Sequence, residues 1–274
     1  MTWRLALSWL LLTSFPLFAA EPCESCHLET HRQFAATAMA KAARSDDFIQ
    51  EWGQGGRNPA CLSCHAPSGT EGVVCVDCHG LGPHPYPRLS VPETCARCHD
   101  APGESTVRRH KTSLAARRNL NCLSCHVKPS AGSHGFIGAT DPAFLRTAAL
   151  LHLAVRNDLG KQILVAAIRP RTGHALPGGT TGRSVWLVIK GMGRGNAERW
   201  RETWRFGWWQ GPKGEWEDAT LAPDIGANLE VAEPGRQGTD WIEAELIFRF
   251  RPGPFEEPDP RQVTISKAQM TLRR

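Results

Sequence analysis

Every cysteine of this 274-residue chain belongs to one repeated pattern, Cys-x-x-Cys-His. Random placement of 10 Cys and 11 His in a chain of this length would produce roughly 0.01 such units. The chain has five of them between residues 23 and 126, at Cys23–His27, Cys61–His65, Cys75–His79, Cys95–His99 and Cys122–His126. The repetition is therefore a chemical constraint on the fold, since each unit brings two thiols and an imidazole close together.

The spacing is typical of covalent haem attachment. Two thiols separated by two residues can each form a thioether with a vinyl group of one porphyrin, and the next histidine then ligates the iron. Three alternatives fit less well. A disulfide framework would not need a His after every second Cys. Zinc sites pair two such units, so five would leave one unpaired, and a thiol-redox enzyme needs only one Cys-x-x-Cys. We therefore predict five c-type haems. The attachment residues are Cys23, Cys26, Cys61, Cys64, Cys75, Cys78, Cys95, Cys98, Cys122 and Cys125, and the proximal iron ligands are His27, His65, His79, His99 and His126.

Residues 1–20 predict a signal peptide and therefore export. Arg4 supplies the positive charge, Leu5–Leu12 form the apolar core, and Ala19 or Ala20 offers a small residue for cleavage. A retained membrane anchor is the weaker interpretation, because the apolar run is short and Pro16 interrupts it. No later stretch is apolar enough to span a membrane. We expect an exported, periplasmic mature protein with no transmembrane segment.

The charge balance does not indicate a nucleic-acid ligand. The full chain has a formal net charge of +5 at pH 7. Cleavage of the signal peptide removes Arg4, and each haem adds two ionisable propionates, so the basic excess disappears in the haem-loaded protein. We expect redox proteins as partners, not RNA or DNA.

Residues 21–148 are predicted to form a pentahaem domain of short helices and loops. About twenty residues for each motif are too few for an ordinary side-chain core, so the porphyrins themselves must form the core. Gly and Pro punctuate the segment and favour short helices. The Ala-rich stretch His31–Ala43 is predicted to be one helix, since Phe34, Ala38 and Met39 cluster at helical spacing.

The sequence changes character after about residue 148. Cysteine disappears, and alternating apolar residues stand between turns rich in Gly and Pro, which predicts antiparallel strands. The chain is therefore predicted to be an α+β protein whose residues 149–274 form a β-sandwich-like domain. The predicted strands are Leu151–Val155, Ile163–Ile168, Ser184–Lys190, Arg199–Phe206, Trp241–Phe250 and Gln262–Leu272.

Most of the tryptophans lie in this second half. Their ordinary role is packing in the core and at the edges of the sheets. The alternative is a face packed on a haem or a docking patch for a redox partner. Trp208 and Trp209, between Gly207 and Gly211, are the best candidates for exposure.

The sixth iron ligand separates an electron carrier from an enzyme. An iron with two axial protein ligands only passes electrons, whereas an open iron can bind a small molecule. The candidate distal ligands outside the motifs include His84, His110, His134 and His174. His110 and His134 flank the fifth motif, His84 follows the third, and His174 lies in a loop between two predicted strands. Each could instead be an ordinary loop residue.

Two further candidates follow the first motif. Met39 could supply a thioether ligand that raises the potential of its haem, although packing is the ordinary role of Met on an Ala-rich helix. His31 lies four residues after His27 and could ligate another haem from the same helical face. His152 is predicted to lie on the polar side of a strand.

The order of these features resembles bacterial multihaem c-type cytochromes. Specifically, it is similar to the broad family that includes the tetrahaem electron acceptor of hydroxylamine oxidoreductase. The resemblance covers about residues 21–190 and rests on the motifs, on the histidines flanking the last motif, and on Thr172-Gly-His-Ala-Leu-Pro-Gly-Gly179 followed by Arg183.

The resemblance implies stacked haems and periplasmic electron transfer. Members of that family commonly carry a Trp and a Ser-x-His after the first motif. This chain has Phe34 and Thr37-Ala-Met39 at the matching positions, a departure that favours Met39 as a ligand there.

We predict an electron carrier that relays electrons through closely packed haems, with no catalytic residues. One alternative is a multihaem oxidoreductase that converts a small nitrogen or sulfur compound at an open haem. Pentahaem nitrite reductases carry a Cys-x-x-Cys-Lys unit, which this chain lacks. The other alternative is a subunit of a larger respiratory complex or haem filament, with the β-domain as its assembly surface.

Overall fold

The structure is a computed structural model that describes residues 23–82, 84–86, 89–101, 104–127, 133–178, 181–211, 214–251 and 253–272. The predicted signal peptide lies outside these ranges. Within them, no helix is both long and apolar enough to cross a membrane.

The motif-bearing region consists of short helices joined by loops. The five motifs each form a helical turn of their own: α1 (Cys23–Cys26), α4 (Leu62–His65), α5 (Cys75–His79), α6 (Glu93–His99) and α9 (Cys122–His126). Between and after them lie α2 (Leu28–Ala35), α3 (Asp46–Gln54), α7 (Thr106–Lys111), α8 (Leu114–Arg117) and α10 (Pro142–Leu145).

Side-chain caps start several of these helices. The Asn121 side chain accepts hydrogen bonds from the backbone at Leu123 and Ser124 at the start of α9, and Ser45 caps α3 by accepting from Phe48. Because a capping side chain satisfies backbone N–H groups that have no helical partner, it allows a helix of one or two turns to form.

The predicted single helix over His31–Ala43 is wrong. Helix α2 ends at Ala35, and a 3₁₀ turn, Met39–Lys41, follows it. Between them the buried Thr37 side chain accepts a hydrogen bond from Ala40 N at 3.2 Å, so its hydroxyl replaces the helical acceptor. Tertiary contacts also favour the break, since Met39 O accepts from Val73 N at 3.0 Å.

The motif region buries few apolar side chains of its own. In the described part of residues 23–126, the buried apolar side chains are Phe48, Ala66 and Val107. Large aliphatic residues beside the motifs are exposed, including Leu28 at 55% and Leu123 at 39%. This pattern agrees with the prediction that side chains alone do not form the core of this region.

Two antiparallel sheets follow α10. One has the strand order β1-β2-β7, and the other has the order β4-β3-β8-β9. A short hairpin, β5-β6, lies beside them. The strands are β1 (Ala149–Asp158), β2 (Lys161–Pro170), β3 (Ser184–Gly193), β4 (Ala197–Phe206), β5 (Trp208–Gln210), β6 (Trp216–Asp218), β7 (Ala227–Ala232), β8 (Trp241–Arg249) and β9 (Val263–Thr271).

Both sheets contribute to one hydrophobic core. Leu151 and Leu164 of the first sheet belong to the same buried cluster as Leu187 and Leu246 of the second. Strand β3 is buried along nearly its whole length because it lies between β4 and β8. The prediction of a mixed α+β protein is confirmed.

The strand predictions succeeded where the apolar pattern is long. All six predicted strands are present, within a few residues at each end. The sequence analysis missed β5, β6 and β7. The first two have only three residues each, and β7 pairs with β2 through polar as well as apolar residues.

Polar contacts join the helical region to the sheets. Asp47 of α3 pairs with Arg261, and Arg109 of α7 pairs with Asp218 of β6. The backbone N–H of Leu114 donates to the Asp224 carboxylate at 2.7 Å. The predicted domains therefore contact each other at several points, although their exact boundary stays a prediction.

Candidate haem-binding sites

The five motifs form one cluster. None of the ten cysteines forms a disulfide, and cysteine side chains of different motifs lie beside one another. Cys75 contacts Cys23, Cys98 contacts Cys64, and Cys95 contacts Cys122. These contacts place the third motif beside the first, and the fourth motif beside the second and the fifth. Cys78 of the third motif is close enough to Cys95 and Cys98 of the fourth to raise their pKa values, which joins the two groups.

Backbone carbonyls orient two of the motif histidines. His65 Nδ1 lies 3.0 Å from Ala42 O, and His126 Nδ1 lies 2.7 Å from Ile137 O. A carbonyl can only accept, so each Nδ1 carries the proton and each Nε2 of the neutral ring keeps a free lone pair. This is the tautomer that can ligate iron through Nε2, with the carbonyl as its outer partner.

Three motif histidines each pack against a second imidazole from elsewhere in the chain. The ring centres are 5.8 Å apart for His27 and His84, and 6.2 Å apart for His79 and His134. The rings of His126 and His174 are nearly parallel, with centres 6.0 Å apart.

These separations fit two ligands of one metal. Two metal–imidazole bonds of about 2 Å each, with part of a ring on either side, put the ring centres about 6 Å apart. In all three pairs the second imidazole is one of the predicted distal ligands, so the structure brings those residues together as a haem iron would require. Ligation itself stays a prediction.

His174 reaches the motif region from the loop between β2 and β3. Its Nδ1 lies 2.9 Å from Ala175 O, which leaves Nε2 unprotonated as in His65 and His126. Burial, together with the nearby His126 and His110 rings, lowers the pKa of His174 to about 4. The ring is therefore neutral at physiological pH, as metal ligation requires.

His110 belongs to the same neighbourhood. It is buried on α7, and its Nδ1 lies 3.0 Å from Gly173 O. Its ring is close enough to Cys122 to influence the pKa of that thiol. His110 therefore donates through Nδ1, as His174 does, and keeps its Nε2 lone pair for a metal.

The second and fourth motifs differ from the other three. Across the described ranges, neither His65 nor His99 has an imidazole packed against it as the other motif histidines do. Instead Phe48 stacks on His65, with ring centres 4.0 Å apart. Met39 lies in the turn preceding Ala42, the residue whose carbonyl faces His65 Nδ1.

A charged cluster lies beside these two histidines. Burial raises the pKa of Glu51, and Asp47 raises it further. Burial lowers the pKa of the Arg183 guanidinium, which is near Glu104 and Glu51. Desolvation also lowers the pKa of His99, which interacts electrostatically with both Glu104 and Arg183. The second and fourth motifs therefore share a partly desolvated group of acids with the guanidinium groups of Arg183 and Arg261.

The remaining ligand candidate, His31, has a different contact. Its Nε2 lies 3.1 Å from a carboxylate oxygen of Glu24, and both side chains are substantially exposed. The nitrogen that would ligate iron is thus occupied by an ion pair in this conformation. The predicted ligation by His31 is not tested by this contact and stays a prediction.

Sequence reasoning missed three residues of the site. Tyr86 lies between two pairs, with its ring centre 5.7 Å from His79 and 5.5 Å from His84. Gly173 and Gly178 leave space for imidazoles: a Cβ on Gly178 would lie 2.8 Å from His174 Cε1. The available signal was the pair of glycines, Gly173 and Gly178, that flank His174-Ala-Leu-Pro177.

The tryptophan-rich hairpin is only partly buried. Trp209 and Trp216 are 40% and 55% exposed, whereas Trp186 and Trp200 are buried. The prediction of exposure is therefore confirmed for Trp209, while Trp208 is half-buried. His152 is exposed on β1, as predicted.

Comparison with known proteins identified one solved structure. No family model matches the chain, and no curated protein matches it. The structure is that of a penta-heme cytochrome c552 from Thermochromatium tepidum, which is 20% identical and superposes with a TM-score of 0.69. The match covers 91% of this chain and 97% of the other. The more specific resemblance to relatives of the hydroxylamine oxidoreductase electron acceptor stays a prediction. The chain therefore shares its fold, over nearly its whole length, with that penta-heme cytochrome.

Proposed function

We propose that this chain is a periplasmic pentahaem c-type cytochrome that carries electrons. One observation carries the proposal: three motif histidines each face a second imidazole, with ring centres 5.8, 6.2 and 6.0 Å apart. Two protein ligands on one iron leave no position for a substrate, which favours electron transfer over bond chemistry. The fold shared with a penta-heme cytochrome supports the same conclusion.

The cysteines and the histidine of each motif have different roles in binding a haem. The two cysteines attach the ring through thioethers, and the motif histidine binds iron through Nε2. When bound, each haem supplies an iron centre that gains and loses one electron. The carbonyls of Ala42 and Ile137 strengthen His65 and His126 as ligands, which favours ferric iron and lowers the reduction potential.

The contacts between motifs support transfer from one site to the next. Thiols of the first and third, second and fourth, and fourth and fifth motifs touch, and Cys78 of the third motif is near Cys95 and Cys98 of the fourth. Rings attached to touching thiols have their edges close together, and a connected series of such edges is what an electron relay needs.

The remaining distal ligands follow by elimination. His110 is the remaining imidazole near the fourth motif. Helices α6 and α7 pack together, and both His99 and His110 are close enough to His174 to lower its pKa. Met39 is the candidate left for the second motif. The described contacts place its turn on the Nδ1 side of His65, away from the iron, so they do not bring Met39 to the sixth position of that iron. Ligation by Met39 stays a prediction, and the second site is the one most easily opened to a small molecule.

Conversion of a small nitrogen or sulfur compound is a second candidate function. Glu51 and Arg183 favour it, because a carboxylic acid with a raised pKa and a desolvated guanidinium lie near the second and fourth motifs. Such groups can donate a proton to an anion and neutralise its charge.

The spin state of the ferric holoprotein separates the two functions. We expect all irons to be low-spin, with little spectral change on adding nitrite, hydroxylamine or carbon monoxide. Met39→Ala should create one high-spin iron that binds carbon monoxide, while Met270→Ala in β9 should not. A high-spin signal in the unaltered protein, together with turnover of such a compound, would contradict the electron-carrier function and support the enzyme function.

Export and partners complete the proposal. A signal peptide cleaved near Ala19 or Ala20 predicts a mature chain recovered from the periplasm, which N-terminal sequencing of that fraction checks. The donor and acceptor are expected to be redox proteins. The exposed rings of Trp209 and Trp216 favour a docking or assembly surface on the β-domain.

A further inference from the structure

The loop between β2 and β3 is held rigidly by the β-domain. Thr172 Oγ1 donates to His174 O at 2.6 Å. Leu176 is buried and exchanges two backbone hydrogen bonds with Leu221, at 2.9 and 2.8 Å. The Thr172 contact holds the shape of the loop, and the Leu176–Leu221 bridge ties its far end to the segment between β6 and β7.

Consecutive residues of this loop face two different histidines. The Gly173 carbonyl accepts from His110 Nδ1 at 3.0 Å. The next side chain, His174, packs nearly parallel to His126 of the fifth motif. The dipeptide thus supplies a ring at one site and a hydrogen-bond acceptor at another.

Only glycine fits at the first of these positions without displacing a neighbour. A Cβ on Gly173 would lie 3.0 Å from Ala115 Cβ and 3.3 Å from His110 Nδ1. His110 is itself buried, so its ring has little freedom to retreat. The close approach that allows the hydrogen bond therefore depends on the missing side chain.

We propose that Gly173 is a positioning residue for His110, so that one dipeptide of the β-domain controls two haem sites. Its carbonyl keeps the proton on Nδ1 and turns Nε2 of His110 toward the fourth haem, while His174 ligates the fifth. The inference rests on the proposed function, because it takes His110 and His174 as axial ligands.

The test compares three variants of the haem-loaded protein by electron paramagnetic resonance and by potentiometric titration. His110→Ala first identifies the signal of the haem that His110 ligates. Gly173→Ala should shift the g-values and the potential of that same haem, because the added methyl group moves the carbonyl or the ring. The signals assigned to the His27–His84 and His79–His134 pairs should not change. Gly235→Ala, in a β-domain turn where the new Cβ would be 4.0 Å from the nearest atom, should leave every signal unchanged.

A double variant guards against a simple folding defect. Ala115→Gly removes the atom closest to the new methyl group, so adding it to Gly173→Ala should return the shifted signal toward that of the unaltered protein. A Gly173→Ala spectrum that leaves the His110-dependent haem unchanged would overturn the positioning role alone. A His110→Ala spectrum identical to the original would instead remove His110 from the ligands and contradict that part of the proposed function.

Discussion

His31 and His110 use opposite ring nitrogens for their protein contacts. His31 Nε2 lies 3.1 Å from the Glu24 carboxylate, whereas His110 Nδ1 lies 3.0 Å from a backbone carbonyl. A neutral ring that donates through Nδ1 keeps its Nε2 lone pair for a metal. Both residues are candidate ligands in the sequence, and in the structure their rings use different nitrogens for their protein contacts.

Replacing the two histidines near the first motif should have opposite results. His84→Ala removes the imidazole whose ring centre is 5.8 Å from that of His27, so one ferric haem should change from low-spin to high-spin and bind carbon monoxide. His31→Ala removes a largely exposed ion pair and should leave the haem spectrum intact, with a stability change below about 1 kcal/mol. A low-spin spectrum in His84→Ala would show that His84 is not an axial ligand.

Three of the four candidate distal histidines lie in loops, whereas His110 is on α7. His84, His134 and His174 all lie outside the helices and strands. Loop residues are positioned by anchors at each end, such as the Leu176–Leu221 bridge, and those anchors depend on residues far away in the chain. This explains why a sequence pattern can nominate such a histidine but cannot pair it with its motif.

Gly178→Ala tests whether the loop must stay close to His174. The new Cβ would lie 2.8 Å from Cε1 and 2.9 Å from Nδ1 of the ring, which is too close for a rigid imidazole to tolerate. We expect one haem to become high-spin and the β-domain to lose about 1–3 kcal/mol of stability. Gly138→Ala is the control, since its Cβ would meet no atom within 4 Å. An unchanged low-spin spectrum in Gly178→Ala would argue against ligation by His174.

At the scale of the whole molecule, the two halves are stabilised by different means. The hydrophobic core cluster draws its members from Leu145 to Ile265. The described part of residues 23–126 buries only Phe48, Ala66 and Val107 among its apolar side chains. Apolar burial of the polypeptide alone can therefore stabilise the sheets, whereas we expect the motif region to depend on bound haem for its stability.

The β-domain should fold without the motif region. A fragment that begins at Asp141, the N-cap of α10, keeps Leu145 and Ala148 in the core. It should melt cooperatively when followed by circular dichroism and Trp fluorescence. A fragment that begins at Ala149 loses the Leu145 side chain, which is 5% exposed, and should be less stable by about 2–5 kcal/mol. A non-cooperative melt of the longer fragment would show that the sheets depend on the haem region.

The motif region should bind five haems and lose order when a central one is removed. Mass spectrometry with a pyridine haemochrome assay should give five haems for each mature chain. Replacing Cys75 and Cys78 by Ala should perturb several neighbours, because Cys75 touches Cys23, and Cys78 is near Cys95 and Cys98. The same change at Cys122 and Cys125 should have a smaller effect, since the fifth motif touches the cluster through Cys95. Four unperturbed haems in the Cys75/Cys78 variant would contradict the porphyrin core.

The amino-acid sequence by itself determined the chemistry of attachment and the class of the fold. Cys-x-x-Cys-His is a local constraint, because both thiols and the imidazole come from five consecutive residues. The long strands were also predictable, since alternation of apolar side chains is a local pattern. The short β5, β6 and β7 were not, because pairing with a neighbour defines them more than their own composition does.

Only the tertiary structure decided which residues act together. The pairing of His79 with His134 joins parts of the chain 55 residues apart in the sequence, and the break of the predicted helix at Thr37 depends on a hydrogen bond and on contacts with residues 71–73. Gly173 shows no chemistry in the sequence, yet its carbonyl holds His110. The physical reason is that a single ring orientation, and a distance of a few ångströms between distant segments, depend on the packing of the whole chain and leave no local pattern.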